Sequence, residues 1–256
     1  HGVMNTDNMS ILGLTIDFGP YGWLEGFDHS WTPNTTDKEH KRYRYGNQPS
    51  IGLWNLYQLA NALYPIIEEA APLESILNQY KIDFEKKSLA MMKSKLGLLV
   101  DDDYDVELIQ NLEDNLQLVE TDMTIFFRKL SDFTNEKQGF QVIEKAFYSP
   151  SEISKEVINQ WNIWFDKYSD RLNKERISSK KRKAIMNAKN PKYILRNYMS
   201  QMAIEEAEKG NYTLIEELYQ LIKRPYDEQL SQEKWFAKRP EWARNKVGCS
   251  MLSCSS

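Results

Sequence analysis

Glycine is concentrated at one end of this chain. Gly2, Gly13, Gly19, Gly22, Gly26 and Gly46, six of the 11 glycines, fall within the first 48 of 256 residues. Among them stand Phe18, Tyr21, Trp23, Phe27, Trp31, Tyr43 and Tyr45. Glycine eases tight and left-handed backbone but weakens helices and strands. The segment therefore predicts loops and short strands that display side chains, the texture of a site rather than of a scaffold. Within it Ile11-Leu12-Gly13-Leu14-Thr15-Ile16 is apolar and partly β-branched, which predicts a strand.

The rest of the chain reads as helix. Pro49-Ser50 supplies a breaker and an N-cap. Leu53, Leu56, Tyr57, Ala60, Leu63 and Tyr64 then follow at helical spacing. Pro72 is placed to open a second helix, and a further one from Ile82 to Leu96 stops at Gly97. Asp101, Asp102 and Asp103 precede Val106, Leu108, Ile109 and Leu112, where a helix N-terminus favours acids. A long helix from Leu116 carries Leu118, Val119, Ile125, Phe126 and Leu130. Pro150-Ser151 opens a helix bearing Val157, Ile158, Trp161, Trp164, Phe165 and Leu172. Asn190-Pro191 opens another through Ala207, and Tyr212 to Lys223 forms the last, broken by Arg224-Pro225. The expected fold class is α+β, mostly α: a loop and short-strand segment over 1–48, a helical array over 49–239, and a flexible tail over 240–256.

Composition removes several function classes. At 41% hydrophobic residues the chain can bury a core, which excludes a disordered or low-complexity polymer. With 33 Lys and Arg against 37 Asp and Glu, the net charge of −4 argues against a nucleic-acid partner. No apolar run reaches the roughly 20 residues of a membrane helix, so no membrane partner is expected. Cys249 and Cys254 are too few for a disulfide framework, which points to an intracellular chain. Asp101, Asp103 and Asp105 do not make a calcium loop, because Val106 and Leu112 stand where such a loop needs glycine and glutamate. Lys180-Lys181-Arg182-Lys183 reads as a solvated face, and Trp161, Trp164 and Phe165, at helical spacing, read as core.

The chemistry lies at the start. His1-Gly2-Val3-Met4-Asn5-Thr6-Asp7-Asn8 precedes the predicted strand, and Ile16-Asp17-Phe18-Gly19 follows it. Phosphoryl-transfer enzymes of the kinase type hold divalent metal on a triphosphate with one Asn and one Asp. Their oxygens suit Mg2+, which takes few protein ligands. Asn8 and Asp17 fit that pair, nine residues apart across a short connection. In a kinase-like His-Gly-Asp loop the third residue is the catalytic aspartate, which accepts the substrate proton. Here it is Val3, which cannot accept a proton, and Asp7 is the nearest remaining carboxylate. The metal ligands are kept and the usual base is absent, as in a pseudokinase.

These residues also carry a family likeness. The stretch from His1 to Tyr21 closely resembles the selenoprotein O family of protein adenylyltransferases, as does Gln48-Pro49-Ser50-Ile51-Gly52-Leu53-Trp54-Asn55-Leu56. The likeness recurs in Asn190-Pro191-Lys192-Tyr193-Ile194-Leu195-Arg196-Asn197-Tyr198, in Arg224-Pro225-Tyr226-Asp227-Glu228-Gln229 and in Ser253-Cys254-Ser255-Ser256. The resemblance implies a kinase-like, pseudokinase C-lobe that transfers AMP from ATP to Ser, Thr or Tyr hydroxyls of proteins. It implies Asp7 as proton acceptor, Asn8 and Asp17 as ligands of Mg2+, or Mn2+ in its place, and Asp17 also at the nucleotide. ATP and hydroxyl-bearing proteins would be the partners. Family members run to roughly twice this length, so an upstream N-lobe is expected to be missing and the 256 residues alone are expected to be inactive. Relatives are cytoplasmic in bacteria and mitochondrial in eukaryotes. Some carry a redox cysteine pair; Cys249 and Cys254 are the candidates here, although Met251 stands where a close Cys-x-x-Cys pair needs cysteine. An ordinary phosphotransferase and a non-catalytic ATP-binding scaffold are the alternatives.

Overall fold

The computed structural model describes residues 3–14, 22–32, 37–134 and 139–249. These residues are mostly helical. Between pairs of described residues the β-structure includes two isolated antiparallel bridges, Gly26 with Asp122 and Thr121 with Phe147. The nine helices among them are α1 (Gln48–Ile67), α2 (Ala70–Leu96), α3 (Asp105–Leu118), α4 (Met123–Leu130), α5 (Gly139–Ile143), α6 (Lys155–Leu172), α7 (Ser179–Asn187), α8 (Asn197–Ala207) and α9 (Thr213–Ile222). The chain divides into two compact units. One holds His1–Trp23, Asp28–Leu89 and Asn245–Ser256; the other holds Leu24–Phe27 and Ala90–Arg244.

In the first unit, α1 begins at Gln48 with Pro49 in its first turn and no side-chain cap. Ser50 is therefore inside the helix rather than its N-cap, because proline's fixed φ suits a first turn. The sequence's apolar stripe is not what α1 buries. Tyr57 and Tyr64 are about half exposed, while Ile51, Gly52 and Asn55 are buried. Gly52 is required by a close approach: a Cβ there would lie 2.8 Å from the Tyr80 hydroxyl, which donates to the Pro49 carbonyl. The two helices expected from Pro72 and Ile82 are one continuous helix, α2, whose interior from Glu74 to Leu96 has no glycine or proline. Residues 11–14, expected to enter a strand, form a turn closed by Gly13 donating to the Ser10 carbonyl, with Gly13 at φ 69°. A strand needs a ladder partner, and no described residue supplies one.

The second unit is built on an aromatic core. Along α6, Trp161, Trp164, Phe165 and Tyr168 recur on one face and are all buried. Burying each large apolar side chain contributes about 1.5–3 kcal/mol. Trp164 donates its indole N–H to the Leu108 carbonyl of α3. Tyr168 donates to the Leu96 carbonyl at 2.7 Å, and burial pushes its phenol up to about 12. Gly97 ends α2 at φ 72°, where a Cβ would strike Arg182 and Met186 of α7. Arg182 is thus buried, an exception to the solvated face expected for 180–183: it donates to the Phe133 carbonyl and the Tyr168 hydroxyl.

Polar residues fix the remaining breaks. The long helix expected from Leu116 is two helices. Val119 turns extended, and Asp122 caps α4 by accepting from the Ile125 amide at 2.9 Å. Pro150–Glu152 is an isolated 3-10 turn, and α6 starts only after Ser154, whose hydroxyl caps it. Asn190-Pro191 does not open α8. Asn190 is buried and donates to the Lys95 carbonyl instead, and α8 begins at Asn197. The two segments 190–198 and 224–229 meet here: the Lys192 and Tyr193 amides both donate to the Pro225 carbonyl. Arg128 donates to the carbonyls of Asn187, Asn190 and Tyr226 and to Glu228. Burial acts to raise the Glu228 carboxyl, but Lys192 and Arg128 outweigh it and hold it down to about 2. Residues 240–244, expected as tail, bury Ala243 and pair Arg244 with Glu120 at 2.9 Å.

Candidate functional site

Asp7 and Asn8 lie on a single 3-10 turn, Thr6–Asn8, in the first unit. Its three residues are exposed. A turn this short has no helical ladder to hold its shape, so side-chain tethers do so. Asn8 donates its backbone amide to the Asn5 carbonyl at 3.0 Å and its side-chain amide to the Val3 carbonyl at 2.9 Å. Tyr43 donates its hydroxyl to the Asn5 side-chain oxygen. From α1, Asn55 donates to the Met4 carbonyl at 2.7 Å and to the Met9 sulfur at 2.8 Å. Three residues before Asp7 and two after it are thereby tied down, while the Asp7 carboxylate itself has no hydrogen-bond or ion-pair partner among the described residues.

Val3 is buried at 7% exposure. The third position of the loop is therefore apolar core, and among the described residues of the loop the carboxylate is that of Asp7, in solvent. Asn8, the expected metal ligand on the turn, carries an amide oxygen, a hard donor of the kind Mg2+ takes. With its amide nitrogen engaged by Val3, Asn8 presents its oxygen as the donor. This donor chemistry fits a hard cation. Asp17, the second expected ligand, lies outside the described residues, as do His1, Gly2, Phe18 and Gly19. Among the described residues no cluster of three or more His, Cys, Asp or Glu could hold a metal ion. Cys249, within the stretch expected as flexible tail, is buried at 1% exposure; Cys254 lies outside the described residues.

An open groove of about 320 Å³ runs beside the turn, lined by Thr6, Met9 and Ser10 on one side and Asn55, Leu56 and Leu59 on the other. A loop that carries Arg42, well past the turn in sequence, is tied to the turn's segment through Tyr43. Asp37 accepts the Arg42 and Tyr43 amides at 2.8 and 2.7 Å, which folds 37–43 into a loop and delivers Tyr43 to Asn5. Arg42 stacks its guanidinium over Trp54 of α1, 4.5 Å from the ring centroid. Two residues of this site, Tyr43 and Asn55, are not signalled by spacing. Asn55 stands off the apolar stripe of α1, and its only sequence mark is its place within the quoted Gln48–Leu56 segment.

No described helix is long and apolar enough to cross a membrane. Comparison with known proteins places these features in context. The family model for protein adenylyltransferase SelO matches residues 1–223. A protein nucleotidyltransferase YdiU from Flavobacterium johnsoniae is 57% identical over 259 residues, covering 100% of this chain and 50% of its own length. The proteins of the same name from Aromatoleum aromaticum and Rhodopirellula baltica are 50% and 48% identical, with 100% of this chain and 49% and 50% of their own lengths covered. The chain spans about half the length of the curated relatives it matches.

Proposed function

The chain belongs to the SelO family of protein adenylyltransferases, and we propose that it carries the proton-accepting and metal-holding part of an active site that transfers AMP from ATP to protein hydroxyls. In that reading it is the C-lobe side of a kinase-like fold. The observation that carries it is the turn Thr6–Asn8: an exposed Asp7 with no partner among the described residues beside an oxygen-presenting Asn8, with buried Val3 where a kinase-like loop would place its base.

A protein Ser, Thr or Tyr hydroxyl attacks the α-phosphorus of ATP. The new bond is O–P, the broken bond is between the α-phosphorus and the bridging oxygen, and pyrophosphate leaves with that bond's electron pair. Asp7 accepts the hydroxyl proton, a general-base role that needs a carboxylate within hydrogen-bond reach of the nucleophile. Asn8 and Asp17 would hold Mg2+, which when bound supplies positive charge to the triphosphate. The tethers from Val3, Tyr43 and Asn55 keep Asp7 and Asn8 in register, since phosphoryl-type transfer rests on positioning and electrostatics. The bacterial relatives favour a cytoplasmic setting.

The test uses a protein of the relatives' full length that contains this chain. Asp7→Ala is expected to keep ATP binding and lose transfer of label from α-labelled ATP to protein by at least about 100-fold. Unchanged transfer would remove Asp7 from the chemistry.

A further inference from the structure

We infer that Asn55 is a positioning residue for AMP transfer: from α1 it sets the Asp7–Asn8 turn through its two amide hydrogens. The inference rests on the reading of Asp7 and Asn8 given above and adds a residue to it.

Four observations point to Asn55. It is 5% exposed, the only strongly polar residue among the three that α1 buries. Its side-chain nitrogen uses both hydrogens on the segment that bears the turn, one on the Met4 carbonyl and one on the Met9 sulfur. Met4 and Met9 bracket Thr6–Asn8, so a single planar amide fixes the entry and the exit of the turn together. Its side-chain oxygen is buried with no hydrogen-bond partner among the described residues. A buried, unsatisfied carbonyl costs about 1–3 kcal/mol. A residue kept for packing alone would be better as leucine, which has nearly the same shape and no orphan oxygen. The amide is therefore retained for its donors, and those donors act on the turn.

The turn depends on such tethers. None of Thr6, Asp7 and Asn8 is buried, so no core packing sets their direction. The Asn8 tether to Val3 lies within the segment itself; Asn55 links the segment to a rigid helix. Releasing it lets Asp7 and Asn8 shift together while α1 stays in place. A displacement of about 1 Å at a reacting group can cost on the order of 100-fold in rate.

The test compares wild type, Asn55→Leu, Asn55→Asp and Asp7→Ala in the full-length protein, with thermal unfolding and steady-state transfer from α-labelled ATP. Asn55→Leu is expected to unfold within a few degrees of wild type, because it removes an orphan oxygen while releasing the Met4 carbonyl. Its kcat is expected to fall about 10- to 100-fold, with KM for ATP within about twofold. Asn55→Asp keeps the shape but turns a carboxylate towards the Met4 carbonyl. Its activity relative to wild type at the same pH is expected to rise as pH is lowered and the protonated carboxyl regains a donor; a merely structural role would not give that profile. Wild-type kcat in both Asn55 variants, with Asp7→Ala inactive, overturns the inference while leaving the site reading intact. Failure of both variants to fold also overturns it, because Asn55 would then be structural. An active Asp7→Ala removes the site reading and this inference together.

Discussion

Asn8 donates its side-chain amide to the Val3 carbonyl at 2.9 Å. The bond ties the exposed donor of the turn to the buried residue that stands where a kinase-like loop would carry its base. The pairing engages the amide nitrogen, so in the proposed site the side-chain oxygen is the atom that would face a cation. Asn8 buries no apolar surface, so Asn8→Ala is expected to change unfolding stability by no more than about 1 kcal/mol. AMP transfer in the full-length protein is expected to fall at least about 100-fold, and the Mg2+ concentration for half-maximal activity to rise. Denaturant melts and Mg2+ titrations check the two halves separately. A large loss of stability with normal Mg2+ dependence would make Asn8 a structural turn residue.

Arg196 grips Asp122 through both terminal nitrogens, at 2.6 and 3.0 Å, with both side chains buried. Glu25 lies 3.5 Å from the same guanidinium, and burial raises its carboxyl. Removing one partner strands a buried charge. Arg196→Met is expected to cost about 3–5 kcal/mol in equilibrium unfolding. Combining it with Asp122→Asn is expected to recover part of that loss, since the amide can still cap α4. Additive losses in the double variant would show that the two residues act independently.

Lys95 sits 4.2 Å from the Phe127 ring centroid, and burial pulls its ammonium down to about 8 from an ordinary value of 10.5. Below pH 8 the lysine is charged in both folded and unfolded chains, and folding bears the full desolvation cost. Between about 8 and 10.5 the unfolded chain binds more protons, so stability from this group rises with pH. Lys95→Met is expected to stabilise the protein at pH 7 by roughly 1–3 kcal/mol and to flatten that rise. Denaturant midpoints across pH 7–10 for both proteins test it. A parallel pair of curves would show that the half-buried Lys95 ammonium does not carry this desolvation cost.

The sequence made the helices legible where an apolar face recurs, as in α6 with Trp161, Trp164, Phe165 and Tyr168. It misled wherever a polar side chain does the work of tertiary packing. Asn190 next to Pro191 has the form of a helix start, yet its amide is spent on the Lys95 carbonyl 95 residues away. Asp122 interrupts what periodicity alone joins, because capping α4 and pairing with Arg196 outweigh helix continuation. Arg182 sits in a basic run but is buried against Gly97, whose missing side chain leaves room for it. At the proposed site, the motif and the family resemblance point to Asp7 and Asn8, whose proposed chemistry is in their own side chains. Tyr43 and Asn55 could not be read from the motif, because what they do depends on distances of 38 residues to Asn5 and 51 residues to Met4.

In the function proposed for it, this site moves AMP rather than phosphate. The most direct measurement incubates the full-length protein with Mg2+ and either α-labelled or γ-labelled ATP, then counts label retained on protein after denaturing electrophoresis. Because Val3 replaces the usual base while Asp7 and Asn8 remain in place, label is expected from α-labelled ATP alone, with pyrophosphate released in equal amount. Protein labelled from γ-labelled ATP and not from α-labelled ATP would contradict the account and make the chain part of an ordinary phosphotransferase.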